Sequence, residues 1–257
     1  MQFNQIFDSH AHYSNTRFDA DRDELLTALP GKGVAAVLEA AYTVGSSHMA
    51  QGFAKRYPFI WCSAGIHPHD AKDAPEDLEQ QLEKLTAYEK CVAIGEAGLD
   101  YHYDHSPREV QRDIFCRQAA FAVENGLPLI VHDRDAHADT LEILKKYKPK
   151  GVVHCFSGSV ETAREILRLG MYIGFTGAVT FGSAKRAPLV IEAVPLDRLL
   201  VETDCPYMAP VPLRGRRCES SMIVHIAQFI AGAKNMEAQE ILSQTCQNAC
   251  ELFGIKL

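Results

Sequence analysis

The 257-residue sequence predicts an α/β fold, a (β/α)8 TIM barrel, on the strength of three observations. Eight short apolar runs recur along the chain, and amphipathic, helix-like stretches separate them. Most of the runs are apolar almost throughout, which is typical of strands buried on both faces of a parallel sheet. Eight such strand and helix units in about 250 residues indicate the barrel, with a doubly wound open sheet as the alternative.

The predicted strands are the apolar runs themselves. They cover residues 5–9, 35–40, 60–64, 92–96, 129–132, 152–155, 172–175 and 199–202. In a barrel, the carboxyl ends of all these strands meet at one rim, where the catalytic groups of this fold are found.

The predicted helices have recognisable ends. Ser106-Pro107-Arg108-Glu109 reads as a capping box with Pro at the first helical position, and Asn125-Gly126 is a typical stop. Ser159 is predicted to cap another helix, which ends near Leu169-Gly170. The remaining helices are predicted over residues 19–29, 46–56, 75–89, 137–147, 183–193, 219–233 and 237–252.

Composition favours a single domain over residues 1–257. The chain is 47% hydrophobic, which is enough for one large core, and no Pro, Gly or Ser-rich linker divides it. The eight cysteines form no Cys-x-x-Cys cluster and several lie within apolar runs, so reduced core thiols are favoured over a thiolate metal site. No signal peptide or membrane span is recognisable, which predicts a cytoplasmic protein without a membrane partner.

The net charge of −7 argues against broad, non-specific nucleic-acid binding, which depends on neutralising phosphates with Lys and Arg. It does not exclude a local site where bound cations reverse the field. No obligate protein partner is indicated.

The first predicted strand leads into a His-x-His pattern. Side chains alternate between the two faces of a strand, so His10 and His12 project from the same face and could bind one metal ion. The pair alone is equally typical of exposed histidines, and its meaning depends on the residues at the ends of the other strands.

Ionisable residues recur at the predicted strand ends. A single histidine in an apolar run, such as His154, is usually a hydrogen-bonded core residue, and Asp204 could simply cap a turn into Pro206. Glu96 is harder to explain in this way, because a carboxylate at the end of a buried strand is costly unless it is paired or metal-bound. Together they predict a metal site at the rim, where the side chains that converge are those of His10, His12, His67, Glu96, His132, His154 and Asp204.

Six segments, in order, carry a resemblance to a known family. The chain resembles TatD-type metal-dependent deoxyribonucleases of the amidohydrolase superfamily, which implies a metallo-dependent hydrolase barrel. The matching segments are Asp8-Ser9-His10-Ala11-His12, Gly65-Ile66-His67-Pro68-His69, Gly95-Glu96-Ala97-Gly98-Leu99-Asp100, His132-Asp133-Arg134-Asp135-Ala136, His154-Cys155-Phe156-Ser157-Gly158 and Glu202-Thr203-Asp204.

The resemblance implies a site for two divalent metal ions. His10, His12 and Asp204 resemble the ligands of one ion, His132 and His154 those of the other, and Glu96 the bridge between them. Mixed imidazole and carboxylate ligands suit Zn²⁺ or Mn²⁺, and Mg²⁺ where phosphate and water complete the shell. Two cations about 3.5–4 Å apart would activate a bridging water for in-line attack on a phosphodiester, with Asp204 taking its proton.

The resemblance also implies residues that contact the substrate, which would be DNA ends or short DNA fragments. His67 resembles a residue that hydrogen-bonds a phosphoryl oxygen, and Arg134 and Glu202 resemble groups that bind phosphate or support the ligands. Arg217 belongs to a basic set that could contact the phosphate backbone or simply be a solvated loop. That set comprises Lys185, Arg186, Arg214, Arg216 and Arg217.

One segment departs from the family pattern. Where members commonly have Asn-Glu-Pro, this chain has Cys218-Glu219-Ser220. The thiol replaces an amide that both donates and accepts hydrogen bonds, and the loss of proline frees the local backbone. The change bears on substrate positioning rather than on metal binding.

Three functions stay open on the sequence alone. The favoured one is a metal-dependent deoxyribonuclease. The second is superfamily hydrolysis of a small-molecule ester, lactone or phosphoester, although Glu96 stands where the lactone and phosphotriester enzymes often have a carboxylated lysine. The third is a metal-dependent scaffold without catalysis, which would not require two cations with open coordination positions.

Overall fold

Eight parallel strands alternate with α-helices over residues 3–257, the part of the chain that this computed structural model describes. The strands follow chain order, and the fold is the predicted (β/α)8 barrel. The strands are β1 (Ile6–Ala11), β2 (Val34–Glu39), β3 (Ile60–Ala64), β4 (Cys91–Asp100), β5 (Leu129–Arg134), β6 (Gly151–Val153), β7 (Tyr172–Phe175) and β8 (Leu199–Val201). The helices are α1 (Arg22–Ala28), α2 (Val44–Arg56), α3 (Leu78–Thr86), α4 (Arg108–Glu124), α5 (His137–Tyr147), α6 (Val160–Arg168), α7 (Ala187–Ala193), α8 (Ile223–Lys234) and α9 (Ala238–Phe253).

Two compact units divide the chain. The first contains residues up to Glu39 together with 155–164 and 173–257, and the second contains residues 40–154 and 165–172. The single domain over 1–257 remains a prediction. Among residues 3–257, no helix is both long enough and apolar enough to cross a membrane.

In the first unit, β1 pairs with β2 and β7 pairs with β8. Helix α9 covers these strands: Phe253 stacks on Phe7 with ring centroids 6.3 Å apart. The buried Asn248 donates to the carbonyl oxygens of Leu196 and Leu199, at 2.8 Å each. This amide satisfies backbone groups at the start of β8 and fixes the helix against it.

In the second unit, β4 pairs with both β3 and β5, and β5 pairs with β6. The buried Gln118 of α4 accepts from the backbone N–H of Ile66 at 2.8 Å and donates to the carbonyl of the same residue at 2.9 Å. The backbone N–H and C=O of Ile66 are therefore both hydrogen-bonded, although Ile66 lies outside the strands. These two bonds anchor the loop that carries His67 to α4.

Strand β4 continues to Asp100, four residues beyond the predicted end at Glu96. Gly98 allows this close approach to β5, because its φ is +153° and a Cβ atom there would overlap the carbonyl oxygen of His132. In contrast, β6 ends at Val153 and β8 at Val201, so His154 and Glu202 lie just beyond their strands instead of within them.

The predicted capping box at Ser106 is wrong. Helix α4 begins at Arg108 after Pro107, without a side-chain cap. The Ser106 hydroxyl instead donates to the carbonyl of His69 at 2.8 Å and accepts from the N–H of Lys72 at 3.1 Å. The Ser106 hydroxyl thus makes tertiary hydrogen bonds instead of the helix-capping bond that the local pattern predicted.

The other helix predictions differ mainly in where they start. Helix α8 begins at Ile223 rather than 219, because Ser220–Met222 form a 3-10 turn that Glu219 caps. Three other helices are shorter than predicted: α1, α3 and α7. The Ser159 cap of α6 is confirmed, since its hydroxyl accepts from the N–H of Thr162 at 3.2 Å. The eight cysteines are free thiols, as predicted.

Candidate metal centre

The first unit brings His10, His12 and Asp204 together. The Nε2 atoms of the two histidines lie 3.0 Å apart, and Asp204 Oδ1 lies 3.3 Å from His12 Nε2 and 4.0 Å from His10 Nε2. His10 is fully buried, whereas 16% of the Asp204 side chain is exposed. Two imidazole nitrogens and one carboxylate oxygen converge on one point, which is a donor set that fits a divalent metal ion.

Backbone contacts fix this cluster. The N–H of Asp204 donates to the carbonyl of His10 at 2.9 Å, and the N–H of His12 donates to the carbonyl of Cys205 at 3.0 Å. Asp204 has a φ of +55°, in the left-handed region that disfavours residues with a Cβ. The segment after β8 therefore runs beside the end of β1 and turns so that the carboxylate faces the two histidines.

Asp8 fixes the backbone next to the same cluster through hydrogen bonds to Thr203 and Ser220. One carboxylate oxygen accepts from the N–H of Thr203 at 2.9 Å, and the other accepts from the hydroxyls of Thr203 and Ser220, at 2.6 and 2.7 Å. Burial raises the pKa of Asp8 to about 7, and these hydrogen bonds oppose the increase. The Tyr13 hydroxyl extends this hydrogen-bond network, since it bonds to Ser220 Oγ at 2.7 Å and accepts from the Ser220 N–H at 3.0 Å. Ser220 thus uses its backbone N–H, which the proline expected at this position from the family resemblance would lack.

Glu202 lies fully buried beside this network. Its Oε1 accepts from the N–H of Cys155 at 2.6 Å, and its Oε2 accepts from the hydroxyl of Ser9 at 3.2 Å. Only glycine leaves room for the carboxylate, because a Cβ on Gly174 would lie 2.6 Å from Oε2. Glu202 thus links the backbone after β6 to the side chain of Ser9 in β1, while its predicted part in catalysis or phosphate binding stays a prediction.

The second unit brings Glu96, His132, His154 and His67 together. Glu96 Oε1 lies 2.8 Å from His132 Nδ1, 2.8 Å from His154 Nε2 and 3.3 Å from His67 Nε2. The ligand atoms of His67, Glu96 and His132 all lie within 4.8 Å of one another. A buried carboxylate among imidazoles fits a divalent metal ion, so this unit also presents a suitable donor set.

His67 is neutral at physiological pH. Burial lowers its pKa to about 4, the neighbouring Glu96 opposes this decrease, and the imidazole of His132 adds to it. Its Nδ1 accepts from the backbone N–H of His69 at 3.1 Å. In the neutral ring the proton is therefore on Nε2, the nitrogen that faces Glu96.

Asp100, the last residue of β4, has no assigned part in the sequence prediction but orients several groups. Its Oδ2 lies 3.2 Å from His132 Nε2 and 2.8 Å from His69 Nε2, and its Oδ1 accepts from the N–H groups of His102 and Tyr103, at 3.0 and 2.9 Å. Burial alone would raise the pKa of Asp100, but the bonds from His132, the Tyr103 amide and His69 bring it well below its usual range. Donating Nε2–H to this carboxylate leaves Nδ1 of His132 available for a metal ion.

We expect Asp100→Asn to weaken metal binding and hydrolysis by about 10- to 100-fold. Asparagine keeps the shape but has one acceptor oxygen, so it cannot serve both the loop amides and the two imidazoles. Calorimetric titration with Mn²⁺ or Zn²⁺, together with kcat/KM, measures the effect. Asp104→Asn, which removes only an exposed partner of Arg108 in the same loop, is the matched control. Unchanged metal affinity in Asp100→Asn would show that Asp100 does not position His132.

The two arginines predicted to bind substrate differ in their surroundings. Arg134 ends β5, and its guanidinium lies 5.0 Å from the ring centroid of the exposed Tyr103. Arg217 makes two hydrogen bonds to Asp21, at 2.7 and 2.5 Å, and packs over the Phe18 ring. Its guanidinium is already paired in the first unit, and its contact with substrate stays a prediction.

Comparison with known proteins shows which family the chain resembles over nearly its whole length. Residues 7–254 match the family described as TatD related DNase. The chain belongs to the TatD family. A TatD-family protein of solved structure, the TatD homologue YJJV from Escherichia coli K12, superposes with a TM-score of 0.91 at 27% identity, covering 98% of this chain and 99% of that one.

Two curated relatives extend the comparison along the chain. YabD of Bacillus subtilis, an uncharacterized metal-dependent hydrolase, is 41% identical over 97% of this chain and 99% of its own length. A protein named 3'-5' ssDNA/RNA exonuclease TatD, from Cronobacter sakazakii, is 36% identical over 96% of this chain and 97% of its own length. This TatD-family chain is accordingly a metal-dependent hydrolase acting on ester bonds, which confirms the predicted enzyme class.

The prediction from sequence missed three supporting groups: Asp8, Asp100 and His69. All three lie in the matching segments, but their part depends on hydrogen bonds to distant residues. A weak signal was present for Asp100, since Ala97 and Leu99 continue the apolar pattern beyond Glu96 and place a second carboxylate at the strand end.

Proposed function

We propose that this chain is a metal-dependent deoxyribonuclease that hydrolyses phosphodiester bonds at DNA ends or in short DNA fragments. The observation that carries the proposal is the pair of imidazole and carboxylate clusters, one in each unit, in a chain of the TatD family. Relatives named as exonucleases for ssDNA and RNA support a nucleic-acid substrate.

The proposal assigns two divalent metal ions to six ligands. His10, His12 and Asp204 would hold one ion, His132 and His154 the other, and Glu96 would be shared. This division rests on the family motifs, and the short distances within each unit support it. When bound, divalent ions supply charge neutralisation for the phosphodiester and lower the pKa of water. The ligand types suit Zn²⁺, Mn²⁺ or Mg²⁺.

Asp204 is proposed as the general base. Of the three side chains in the first cluster it is the most accessible, with 16% of its side chain exposed, against 9% and none for His12 and His10. Its carboxylate can take a proton from the attacking water, while its backbone is held by His10. A positioned base of this kind contributes about 10²- to 10⁴-fold.

His67 is proposed to hydrogen-bond a phosphoryl oxygen of the substrate. The hydrogen bond that its Nδ1 accepts from the His69 amide leaves Nε2 as the protonated nitrogen. A protonated ring nitrogen can donate to an anionic oxygen but cannot bind a metal ion without moving its proton. This tautomer favours the substrate contact over a part as a seventh ligand.

The remaining predicted residues support the site. Arg134 would place positive charge near the phosphates, and Glu202 would hold the backbone at Cys155 beside the site. Arg217 would have to leave Asp21 to reach a phosphate, so it carries less of the proposal than Arg134.

Metal removal tests the proposal directly. Purified protein treated with EDTA should lose cleavage of fluorescent single-stranded and duplex DNA, and restoring Mg²⁺, Mn²⁺ or Zn²⁺ should bring it back. The expected difference between metal-free and restored protein is at least about 10³-fold in rate, since both the nucleophile and the charge neutralisation depend on the ions.

The same assay separates the alternatives when a lactone and a phosphotriester are included. Turnover of those compounds with no cleavage of DNA or RNA would replace the proposed function by small-molecule hydrolysis. Bound metal with no turnover of any substrate would favour a scaffold.

A further inference from the structure

The loop after β4 presents three exposed aromatic rings, those of His102, Tyr103 and His105. Tyr103 is 52% exposed, although large side chains of this kind are usually more buried. The ring of His105 stacks on that of Tyr103, with centroids 5.6 Å apart and planes at 17°, and the ring of His102 meets Tyr103 edge-on at 4.8 Å. We call these three rings the aromatic platform.

The loop that carries the platform is anchored to the protein. Asp100 Oδ1 accepts from the backbone N–H groups of His102 and Tyr103, at 3.0 and 2.9 Å. At the other end of the loop, the Ser106 hydroxyl donates to the carbonyl of His69 at 2.8 Å. The rings are therefore exposed on a backbone fixed at both ends, so stacking on them would cost little ordering of the loop.

The platform adjoins the metal-centre residues of the same unit. The ring of His69 lies 4.6 Å from that of His105 and 4.3 Å from that of His67, between centroids. The Arg134 guanidinium lies 5.0 Å from the centroid of Tyr103. A phosphate held at His67 would thus have exposed aromatic surface and a positive charge within one nucleotide's reach.

We propose that the aromatic platform binds an unpaired base of single-stranded nucleic acid next to the phosphate being cleaved, with Tyr103 as the main stacking residue. The inference rests on the proposed function and adds a specificity-determining subsite to it. Every base has a face that stacks on an aromatic ring, so the subsite would select for unpaired nucleotides and not for sequence. Bases inside a duplex are already stacked on their neighbours and would not be offered to it.

The test compares oligonucleotides that differ by one base. Wild-type protein, Tyr103→Ala and Tyr103→Phe are assayed with Mn²⁺ on single-stranded 12-mers that carry either all bases or an abasic residue at the last or penultimate position of either end. On fully based strands, Tyr103→Ala should lose about 5- to 150-fold in kcat/KM, and Tyr103→Phe should stay within about twofold. On the strand whose abasic residue falls at the platform, wild type and Tyr103→Ala should be equal.

Tyr147→Ala is the matched control. Tyr147 also has a cation beside its ring, Lys146 at 4.9 Å, but it is the last residue of α5 and does not belong to a loop that follows the carboxyl end of a strand. The substitution should leave all rates unchanged. Equal rates for wild type and Tyr103→Ala on every strand would overturn the proposal. So would an equal loss on based and abasic strands, which would indicate a structural effect of the loop.

The two proposals can fail separately. If the wild-type protein cleaves no nucleic acid with any metal ion, the proposed function fails. Fluorescence anisotropy with the same strands then tests binding at the aromatic platform. Tyr103→Ala must weaken binding of the fully based strand but not of the abasic strand. Absence of binding, or equal weakening of based and abasic strands, would overturn it.

Discussion

Glu96→Gln is expected to abolish hydrolysis while the protein stays folded. Glu96 Oε1 lies 2.8 Å from both His132 Nδ1 and His154 Nε2, and the proposal places the same carboxylate on both metal ions. Glutamine keeps the shape, but it is neutral and presents an N–H₂ group where a ligand oxygen is needed. We expect a loss of at least about 10³-fold in kcat/KM, because both metal positions are weakened at once.

The measurement pairs activity with metal content and circular dichroism. Glu79→Gln is the matched control, because it makes the same chemical change at an exposed ion pair with Arg117 and should leave all three unchanged. Wild-type rates from folded Glu96→Gln protein in metal-replete buffer would contradict the assignment of Glu96.

His10→Ala combined with His12→Ala should empty one metal position and abolish hydrolysis. The two Nε2 atoms lie 3.0 Å apart, and removing both leaves Asp204 as the sole proposed ligand of that ion in the first unit. Asp204 and the shared Glu96 would be the only proposed ligands left, and two carboxylates without an imidazole hold an ion poorly against water, so metal content should fall from two ions per chain to about one. Elemental analysis after dialysis measures the stoichiometry, and the expected loss of activity is at least about 10³-fold.

His225→Ala, on α8, controls for the loss of a histidine that is not a proposed ligand. Full metal content in the double variant would mean that His10 and His12 are not ligands. A loss of both ions would mean that the two positions depend on each other, which would change the proposed division of ligands between the ions.

Sequence pattern was most informative where chemistry is local. Apolar runs predicted the strands because a strand buried on both faces needs apolar residues throughout. The end of α6 was predicted near Gly170 because glycine readily adopts a positive φ, which is +79° at this residue. The capping box at Ser106 failed for the opposite reason. Its hydroxyl could bond either to the helix or to the His69 carbonyl, 37 residues away in sequence, and only the folded chain decides between them.

The two arginines predicted to contact substrate also show the difference between what a local pattern reports and what the folded chain decides. The sequence suggested phosphate contact for both arginines, for Arg134 through the family resemblance and for Arg217 as one of a basic set. In the structure, Arg217 makes two hydrogen bonds to Asp21, 196 residues distant in sequence, whereas Arg134 lies against an exposed tyrosine. Two similar side chains thus have different capacities for phosphate because of partners that no local pattern reports.

The sequence by itself determined the barrel, the family and the types of side chain proposed to bind metal, because strand periodicity and the identity of residues at strand ends are encoded locally. The tertiary structure decided which nitrogen of His67 and of His132 faces the site, since that depends on the His69 amide and on Asp100. It also placed Tyr103 and His105 beside His69, which packs against His67 in the same unit. Hydrogen-bond partners and ring contacts form between residues far apart in sequence, and therefore exist only once the chain is folded.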